Sequence, residues 1–193
     1  MQNCHMHSLL LPEILNQLKS AGREKRLFDL GCGNGSTAGY FMKHGYKVSG
    51  VDPSKDGVRI ANENLPGAII EMGSCYEDLK SRFGPFPTVI SLEVVEHVFF
   101  PRKFATCFAD LLEPGGVGFI STPYHGYLKN LALAATDNFD KHFTALWDYG
   151  HIKFWSRITL TKLLQDAGLT VVGFKRLGRI PPLAKTMLLT VRK

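Results

Sequence analysis

The chain has 193 residues, of which 45% are hydrophobic, 21% charged and 11% aromatic, and its formal net charge is +6 at pH 7. These values exclude a globally disordered chain, and the length fits one compact domain spanning residues 1–193. No apolar stretch approaches the ~20 residues that a membrane-spanning helix needs, and the first residues lack the features of a signal peptide. We therefore expect a cytoplasmic protein without a transmembrane segment.

Short apolar runs alternate with helical patterns as far as residue 122. Such an alternation predicts right-handed strand–helix–strand units and a parallel sheet that is covered by helices on both faces. The predicted strands are 27–30, 47–51, 68–72, 88–92 and 117–122, and the predicted helices are 36–44, 55–64, 76–83 and 103–112.

The alternation is interrupted after Pro123 by a long segment, about 123–155, that is rich in aromatic residues. Long connections in compact domains are usually functional, and this one is too apolar for a linker, so we interpret it as a substrate-covering insertion. A helix at 159–167 and strands at 170–175 and 186–191 follow. No helical pattern separates the last two strands, which predicts antiparallel neighbours. The expected fold is α/β, a Rossmann-like doubly wound sheet of seven strands, mostly parallel with an antiparallel last strand.

The cysteines and the basic residues give no specific site. Cys4, Cys32, Cys75 and Cys107 are widely spaced without a C-x-x-C pair, which argues against a disulfide framework or a thiolate zinc site and favours reduced thiols. A net positive charge can attract nucleic acid, anionic lipid or an acidic substrate. No run of like charges is long enough to mark a tail, so a solvated basic face is the simpler interpretation.

The most informative residues lie at the predicted turn from the first strand to the first helix, in the run Asp29-Leu-Gly-Cys-Gly-Asn-Gly-Ser36. Alternate glycines let a backbone approach a ligand closely at the edge where open α/β sheets bind nucleotides. A dinucleotide fingerprint would place its third glycine at Ser36, and the Gly-Lys-Ser/Thr ending of a P-loop is missing.

An acidic residue followed by G-x-G-x-G resembles the first motif of class I S-adenosylmethionine-dependent methyltransferases. Asp52 ends the second predicted strand, where that family places a carboxylate on the ribose hydroxyls, and residues 111–116 (Leu-Leu-Glu-Pro-Gly-Gly) precede the fifth strand as in the family. The resemblance extends from Leu27 to the end of the chain. The alternative is a nucleotide-binding fold that has lost its ligand.

The resemblance implies S-adenosylmethionine as cofactor and S-adenosylhomocysteine as product, and it implies the residues that contact them. Asp29 would orient the loop and face the methionine end, with Asp52 on the ribose. Many relatives carry an acid for the adenine, and here either the main chain or the Ser74 hydroxyl would contact it. The group that holds the cofactor carboxylate stays open. The implied cofactor residues are Asp29, Gly31, Cys32, Gly33, Asp52, Pro53, Ser74, Cys75, Leu92 and Glu93.

A second motif follows the fourth predicted strand. Glu93, Glu96 and His97 are spaced i, i+3, i+4, so on a helical turn they share one face. Two carboxylates and an imidazole suit Mg²⁺, Mn²⁺ or Zn²⁺; the alternative is that Glu96 and His97 only brace the loop.

The spacing E-x-x-E-H resembles the pattern of ubiquinone-biosynthesis O-methyltransferases and of small-RNA 3′-terminal 2′-O-methyltransferases. In both groups a further histidine arrives after the fifth strand, and His151 stands at the matching place. The resemblance thus implies a metal set of Glu93, Glu96, His97 and His151. Glu96, His97 and His151 are the candidate catalytic residues, with either histidine as general base if the metal does not engage it. His125 and His142 are interpreted as packed or surface residues.

The predicted function is therefore metal-assisted O-methylation of a small phenolic or isoprenoid-linked acceptor. An RNA 2′-O-methyltransferase is the main alternative, which the basic charge permits, but no RNA-binding module or arginine-rich strip is evident. A metal-independent N- or C-methyltransferase and a non-catalytic module that senses the cofactor are the others. The acceptor and the oligomeric state stay open.

Overall fold

Seven strands form one mixed sheet in the computed structural model, which describes residues 7–22, 24–143 and 145–193. The strands are β1 (Arg26–Leu30), β2 (Lys47–Asp52), β3 (Ile69–Met72), β4 (Phe86–Leu92), β5 (Leu112–Pro123), β6 (Thr170–Leu177) and β7 (Thr186–Arg192). The α-helices are α1 (His7–Ala21), α2 (Ser36–Lys43), α3 (Lys55–Asn64), α4 (Leu79–Phe83), α5 (Pro101–Leu111), α6 (Tyr127–Ala135), α7 (Phe139–Phe143) and α8 (Arg157–Asp166), and a 3₁₀ turn spans Pro181–Leu183.

The strand order is β3-β2-β1-β4-β5-β7-β6. Strands β1 to β5 pair in parallel, whereas β7 lies antiparallel between β5 and β6. The chain passes from β6 to β7 through the 3₁₀ turn without a crossover helix, and a short connection of this kind joins antiparallel strands. The predicted seven-stranded fold with an antiparallel last strand is confirmed.

Helices cover both faces of the sheet, so the central strands are buried throughout. Every residue of β4 is buried, as expected for a strand that packs against helices on both sides. One apolar core includes Phe104 and Leu164 of α5 and α8. The other includes Ile14 and Phe41 of α1 and α2.

Helix α1 is the main element that the sequence analysis missed. Its apolar residues at positions 10, 11, 14, 15 and 18 are all buried against the sheet. Their spacing is that of one helical face, so the signal was present in the sequence.

Two further elements begin three or more residues away from their predicted start. Helix α4 begins at Leu79 and not at residue 76, because the Asp78 side chain accepts the Ser81 amide and caps the helix there. Strand β5 begins at Leu112, where residue 117 was predicted. The backbone of Lys193 pairs with Gly115 and Gly116 and so extends the ladder.

The segment between β5 and α8 contains α6 and α7 and follows the carboxyl end of β5. The rings of Phe143 and Phe154 pack on His125, with centroids 5.8 and 5.2 Å away, whereas Tyr127 and Tyr149 are exposed. The aromatic side chains of this segment therefore divide between a packed cluster and the surface.

Among the described residues, no helix has the length and apolar character needed to cross a membrane. Cys32, Cys75 and Cys107 are buried and free, and Cys4 lies outside the described part of the chain.

Candidate active site

The carboxyl ends of β1, β2 and β4 meet at one edge of the sheet, where open α/β sheets bind ligands. The backbone register pairs Leu30 with Val51 and Asp29 with Ile90. The buried hydroxyl of Ser91 also donates a hydrogen bond to the Leu30 carbonyl at 2.7 Å. The loops that follow these strands therefore share one rim.

The glycine loop between β1 and α2 needs its glycines for two different reasons. Gly31, Gly33 and Gly35 all have positive φ, at 89°, 52° and 79°, a region costly for other residues. A Cβ on Gly31 would lie 2.5 Å from a methyl carbon of Val94, so the loop packs tightly there. A Cβ on Gly33 would meet nothing within 4 Å, which leaves this backbone open to a ligand.

Asp52 connects the end of β2 to the glycine loop. Its Oδ2 accepts a hydrogen bond from the Gly33 amide and its Oδ1 accepts one from the Ser54 amide, both at 2.8 Å. Each carboxylate oxygen has a second lone pair, so two hydroxyls of a vicinal diol still find acceptors. This geometry fits the ribose of S-adenosylmethionine.

Asp29 is 1% exposed, and its Oδ2 has no hydrogen-bond partner among the described residues. Burial, together with the nearby Asp52 charge, raises the pKa of Asp29 to about 8. A buried carboxylate without a partner is stabilised by a cation. The sulfonium and ammonium groups of S-adenosylmethionine supply that charge, so Asp29 fits the expected cofactor. Burial, followed by the Asp29 charge, also raises the pKa of the Cys32 thiol, which stays protonated.

The remaining predicted cofactor residues lie along the same rim. The Gly73 amide donates to the Asp52 carbonyl at 3.2 Å, which brings Ser74 beside the end of β2. The Ser74 hydroxyl accepts the Tyr76 amide at 3.3 Å within its turn. Cys75 and Leu92 are buried, and Pro53 is exposed next to Asp52.

Three predicted residues converge after β4 into a group that we call the acid–histidine cluster: Glu96, His97 and His151. One potential ligand atom from each lies within 4.8 Å of the others. Glu96 is 1% exposed, and neither of its carboxylate oxygens has a hydrogen-bond partner among the described residues. His151 Nε2 is 3.9 Å from Glu96 Oε1, and the rings of His97 and His151 are 4.9 Å apart. The cluster has the composition of a metal site.

Backbone hydrogen bonds hold His151 in this position. The amides of Ile152 and Lys153 donate to the Glu96 carbonyl at 2.9 and 3.0 Å. The indole of the buried Trp155 donates to the Val95 carbonyl at 3.1 Å. The segment before α8 is thereby fastened to the turn after β4.

The hydrogen bonds of His97 define which of its nitrogens is free. Its Nδ1 lies 2.9 Å from the Tyr149 carbonyl and 3.2 Å from the Gly150 carbonyl. A carbonyl oxygen only accepts hydrogen bonds, so Nδ1 carries the proton and Nε2 keeps its lone pair in the neutral ring. Metal-binding histidines are commonly oriented by such a bond.

Electrostatics favour the uncharged forms of Glu96 and His151 when no cation is bound. Burial, reinforced by the Glu93 charge, raises the pKa of Glu96 well above its ordinary value. Burial and the nearby His97 lower the pKa of His151, which keeps this imidazole neutral. A bound cation would stabilise the ionised carboxylate of Glu96 and so lower its pKa.

Glu93 lies outside the acid–histidine cluster, although its spacing predicted a shared helical face. Residues 95–97 form a turn, and Glu93 itself has a left-handed φ of 56°. Its Oε1 accepts hydrogen bonds from the hydroxyls of Ser121 and Thr186, both at 2.7 Å. Burial raises the pKa of Glu93 against the opposing effect of these two bonds.

The structure adds residues that the sequence analysis did not assign to the site. His7, at the start of α1, has its Nδ1 3.2 Å from the Ser36 hydroxyl at the end of the glycine loop. Ser121 and Thr186 orient Glu93 from β5 and β7. An isolated serine, threonine or histidine carries no local sequence signal of a functional role. The helical pattern of α1 was the one feature of the sequence that could have drawn attention to His7.

The family of the chain follows from comparison with known proteins. A profile described as methyltransferase domain matches residues 3–173. The chain belongs to this methyltransferase family. The methyltransferase expected from the glycine loop is therefore confirmed at the level of the family.

Relatives of this methyltransferase include proteins named ubiquinone biosynthesis O-methyltransferase. The one from Caulobacter sp. (strain K31) is 36% identical over 113 residues, which are 56% of this chain and 44% of that protein. The one from Dinoroseobacter shibae is 31% identical over 157 residues, which are 78% of this chain and 62% of that protein. The methyltransferase thus spans less than two thirds of either relative.

A solved S-adenosylmethionine-dependent methyltransferase from Methanosarcina mazei superposes with a TM-score of 0.71. It is 18% identical, and the match covers 95% of this chain and 98% of the other. At this identity the likeness establishes the fold.

Proposed function

We propose that the methyltransferase, as a single domain, transfers the methyl group of S-adenosylmethionine to a hydroxyl of a small acceptor with a divalent metal held by the acid–histidine cluster. The observation that carries the proposal is Glu96, a buried carboxylate with both oxygens unpartnered beside two histidines. An unpaired buried carboxylate is costly unless it binds a cation. The names of the relatives, ubiquinone biosynthesis O-methyltransferases, support transfer to oxygen.

The cofactor would lie over the glycine loop. Asp52 would accept the ribose hydroxyls, the open backbone at Gly33 would allow close approach, and Asp29 would face the positive charges of the methionine part. Ser74 and Cys75 would border the adenine from the end of β3. When bound, S-adenosylmethionine supplies an electrophilic methyl carbon, and the task of the protein is to align the acceptor with it.

The metal would be Mg²⁺, Mn²⁺ or Zn²⁺, and Glu96, His97 Nε2 and His151 would hold it. A divalent ion at this place lowers the pKa of a bound hydroxyl and fixes its position. The lowered pKa of His151 favours its neutral ring, and the neutral form of His97 would present Nε2 with its lone pair, so each histidine suits either ligation or proton uptake from the acceptor.

The aromatic composition of the insertion favours an acceptor with a planar ring. His125, Phe143 and Phe154 form a packed aromatic group in this segment, and the tie from Lys153 to Glu96 connects it to the cluster. Aromatic side chains of this kind stack on a phenolic ring and exclude water from the reacting atoms.

Calorimetric titration with Mn²⁺ tests the proposal, after saturation with S-adenosylhomocysteine. We expect one Mn²⁺ per chain in the parent, and no measurable binding in Glu96→Gln or His151→Ala. Glu63→Gln and His44→Ala are the matched controls, since Glu63 lies on α3 and His44 directly follows α2, both outside the acid–histidine cluster. Equal Mn²⁺ affinity in Glu96→Gln and the parent would remove the metal from the proposal. Failure of the parent to bind S-adenosylhomocysteine would remove the cofactor.

A further inference from the structure

A recess of about 520 Å³ opens between α6, α7 and the segment before β7. We call it the basic recess, because four cationic side chains line it and no acidic side chain does: Lys129, Lys141, Arg179 and Lys185. Its volume is that of a small-molecule site.

The cations of the basic recess have no ion-pair partner in the described part of the chain, although the charge of Glu93 acts on Lys129 from beyond ion-pair distance. Within the described ranges none of the four forms an ion pair, whereas Arg26, Arg59 and Arg82 elsewhere each pair with carboxylates. Lys129 is only 7% exposed, and its ammonium donates to the Tyr124 carbonyl at 2.8 Å. Unpaired like charges around a partly closed space produce a positive potential that attracts anions.

The titration behaviour of the lining groups agrees with this arrangement. Burial, followed by the Arg179 charge, lowers the pKa of Lys129 to about 8. Burial and then the charges of Lys129 and Arg179 lower the pKa of His142, another lining residue. An anion in the recess would relieve the repulsion that contributes, after burial, to both shifts.

The basic recess adjoins the proposed site of reaction. Lys185 directly precedes Thr186, whose hydroxyl donates to Glu93 at 2.7 Å. On the other side, the ring of His142 lies 5.4 Å from the ring of His125 in the aromatic group of the insertion. A molecule that fills the recess would therefore extend from the acceptor position.

We propose that the basic recess binds an anionic group, a phosphate or a carboxylate, carried by the methyl acceptor. The inference rests on the proposed function and narrows its acceptor to small anionic hydroxyl compounds. Arg179 and Lys141 line the recess as exposed cations, whereas Lys129 is buried and Lys185 is half-buried, so all four contribute positive charge to a bound anion. Charge-assisted hydrogen bonds to such donors are stronger than neutral ones.

Three probes of equal ring size test the anion requirement: phenyl phosphate, benzoate and phenol. Each is titrated by calorimetry into the parent saturated with S-adenosylhomocysteine. We expect phenyl phosphate or benzoate to bind at least about tenfold more tightly than phenol. The comparison of the first two probes identifies the anion. Equal affinity for all three would overturn the proposal.

Charge-neutralising variants locate the site. Arg179→Gln and Lys141→Gln should each lower the affinity for the anionic probe by about tenfold and leave the affinity for phenol unchanged. Arg192→Gln and Lys47→Gln carry the same charge change at the opposite edge of the sheet, where β7 ends and β2 begins. Equal weakening by these controls would mean a general charge effect and would contradict the assignment.

Two further outcomes separate the inference from its foundation. If the parent binds S-adenosylhomocysteine but shows no preference for an anionic probe, the recess assignment fails and the methyltransferase proposal stands. If the parent does not bind S-adenosylhomocysteine, the proposed function itself fails.

A short RNA that binds far more tightly than phenyl phosphate, and loses affinity in Arg179→Gln, would overturn the small acceptor in favour of a nucleic acid.

Discussion

The Asp52 carboxylate accepts a hydrogen bond from the Gly33 amide at 2.8 Å, so the end of β2 and the loop after β1 form one rigid unit. Its other oxygen accepts the Ser54 amide at 2.8 Å and stabilises the entry to α3. One side chain thus shapes the glycine loop and, in the proposed complex, would present acceptors to the cofactor.

We expect Asp52→Ala to weaken S-adenosylhomocysteine binding by at least about tenfold and to lower the free energy of unfolding by about 1–3 kcal/mol, because two amides lose a charged acceptor. Calorimetry and urea unfolding measure the two effects. Asp56→Ala is the control, since this carboxylate is 87% exposed and interacts with Arg59 only at 3.8 Å. Unchanged binding in Asp52→Ala would contradict the assigned role.

The glycine loop offers a separate test of packing. Gly31→Ala adds a Cβ at 2.5 Å from Val94 and forces alanine into a φ of 89°, so we expect about 2–4 kcal/mol of lost stability and weaker cofactor binding. Gly168→Ala imposes a similar φ of 82° with nothing within 4 Å. Gly168→Ala should lower the free energy of unfolding by about 1 kcal/mol and leave cofactor binding unchanged. Equal effects of the two variants would show that strain alone, and not contact with Val94, matters.

Asp29 predicts a pH dependence of stability. Its pKa is 3.8 ordinarily and about 8 in the folded protein. Between these values the folded state holds a proton that the unfolded chain has released, so the contribution of Asp29 to stability falls as the pH rises. Asp29→Asn should therefore gain stability relative to the parent from pH 5 to about pH 8. Urea unfolding at several pH values measures this, with Asp56→Asn as control; a constant difference between parent and Asp29→Asn would contradict the prediction.

Metal binding should depend on pH through Glu96. The raised pKa of Glu96 favours the protonated carboxyl in the free site, and the lowered pKa of His151 favours its neutral ring. A metal competes with the proton for Glu96, so Mn²⁺ affinity should increase as the pH rises, with proton release. Calorimetry in buffers of different ionisation enthalpy measures the released proton. An affinity that is independent of pH would contradict Glu96 as the titrating ligand.

Much of the fold was predictable because its signals are local. The strand–helix alternation placed most elements within a few residues of their observed bounds, and α3 was predicted at its full extent, 55–64. The cap at Asp78 and the pairing of Lys193 with Gly115 and Gly116 moved two elements, since both depend on hydrogen bonds that periodicity does not record.

The sequence by itself determined the glycine loop and Asp52, because positive-φ glycines and a strand-ending carboxylate are properties of short segments. Only the tertiary structure decided the composition of the candidate metal site. Trp155 and the amides of Ile152 and Lys153 bring His151 to Glu96, while the left-handed φ of Glu93 turns that side chain toward Ser121 and Thr186. The basic recess likewise joins residues from 129 to 185. Such sites depend on contacts between distant segments, and no local pattern specifies which of these segments meet.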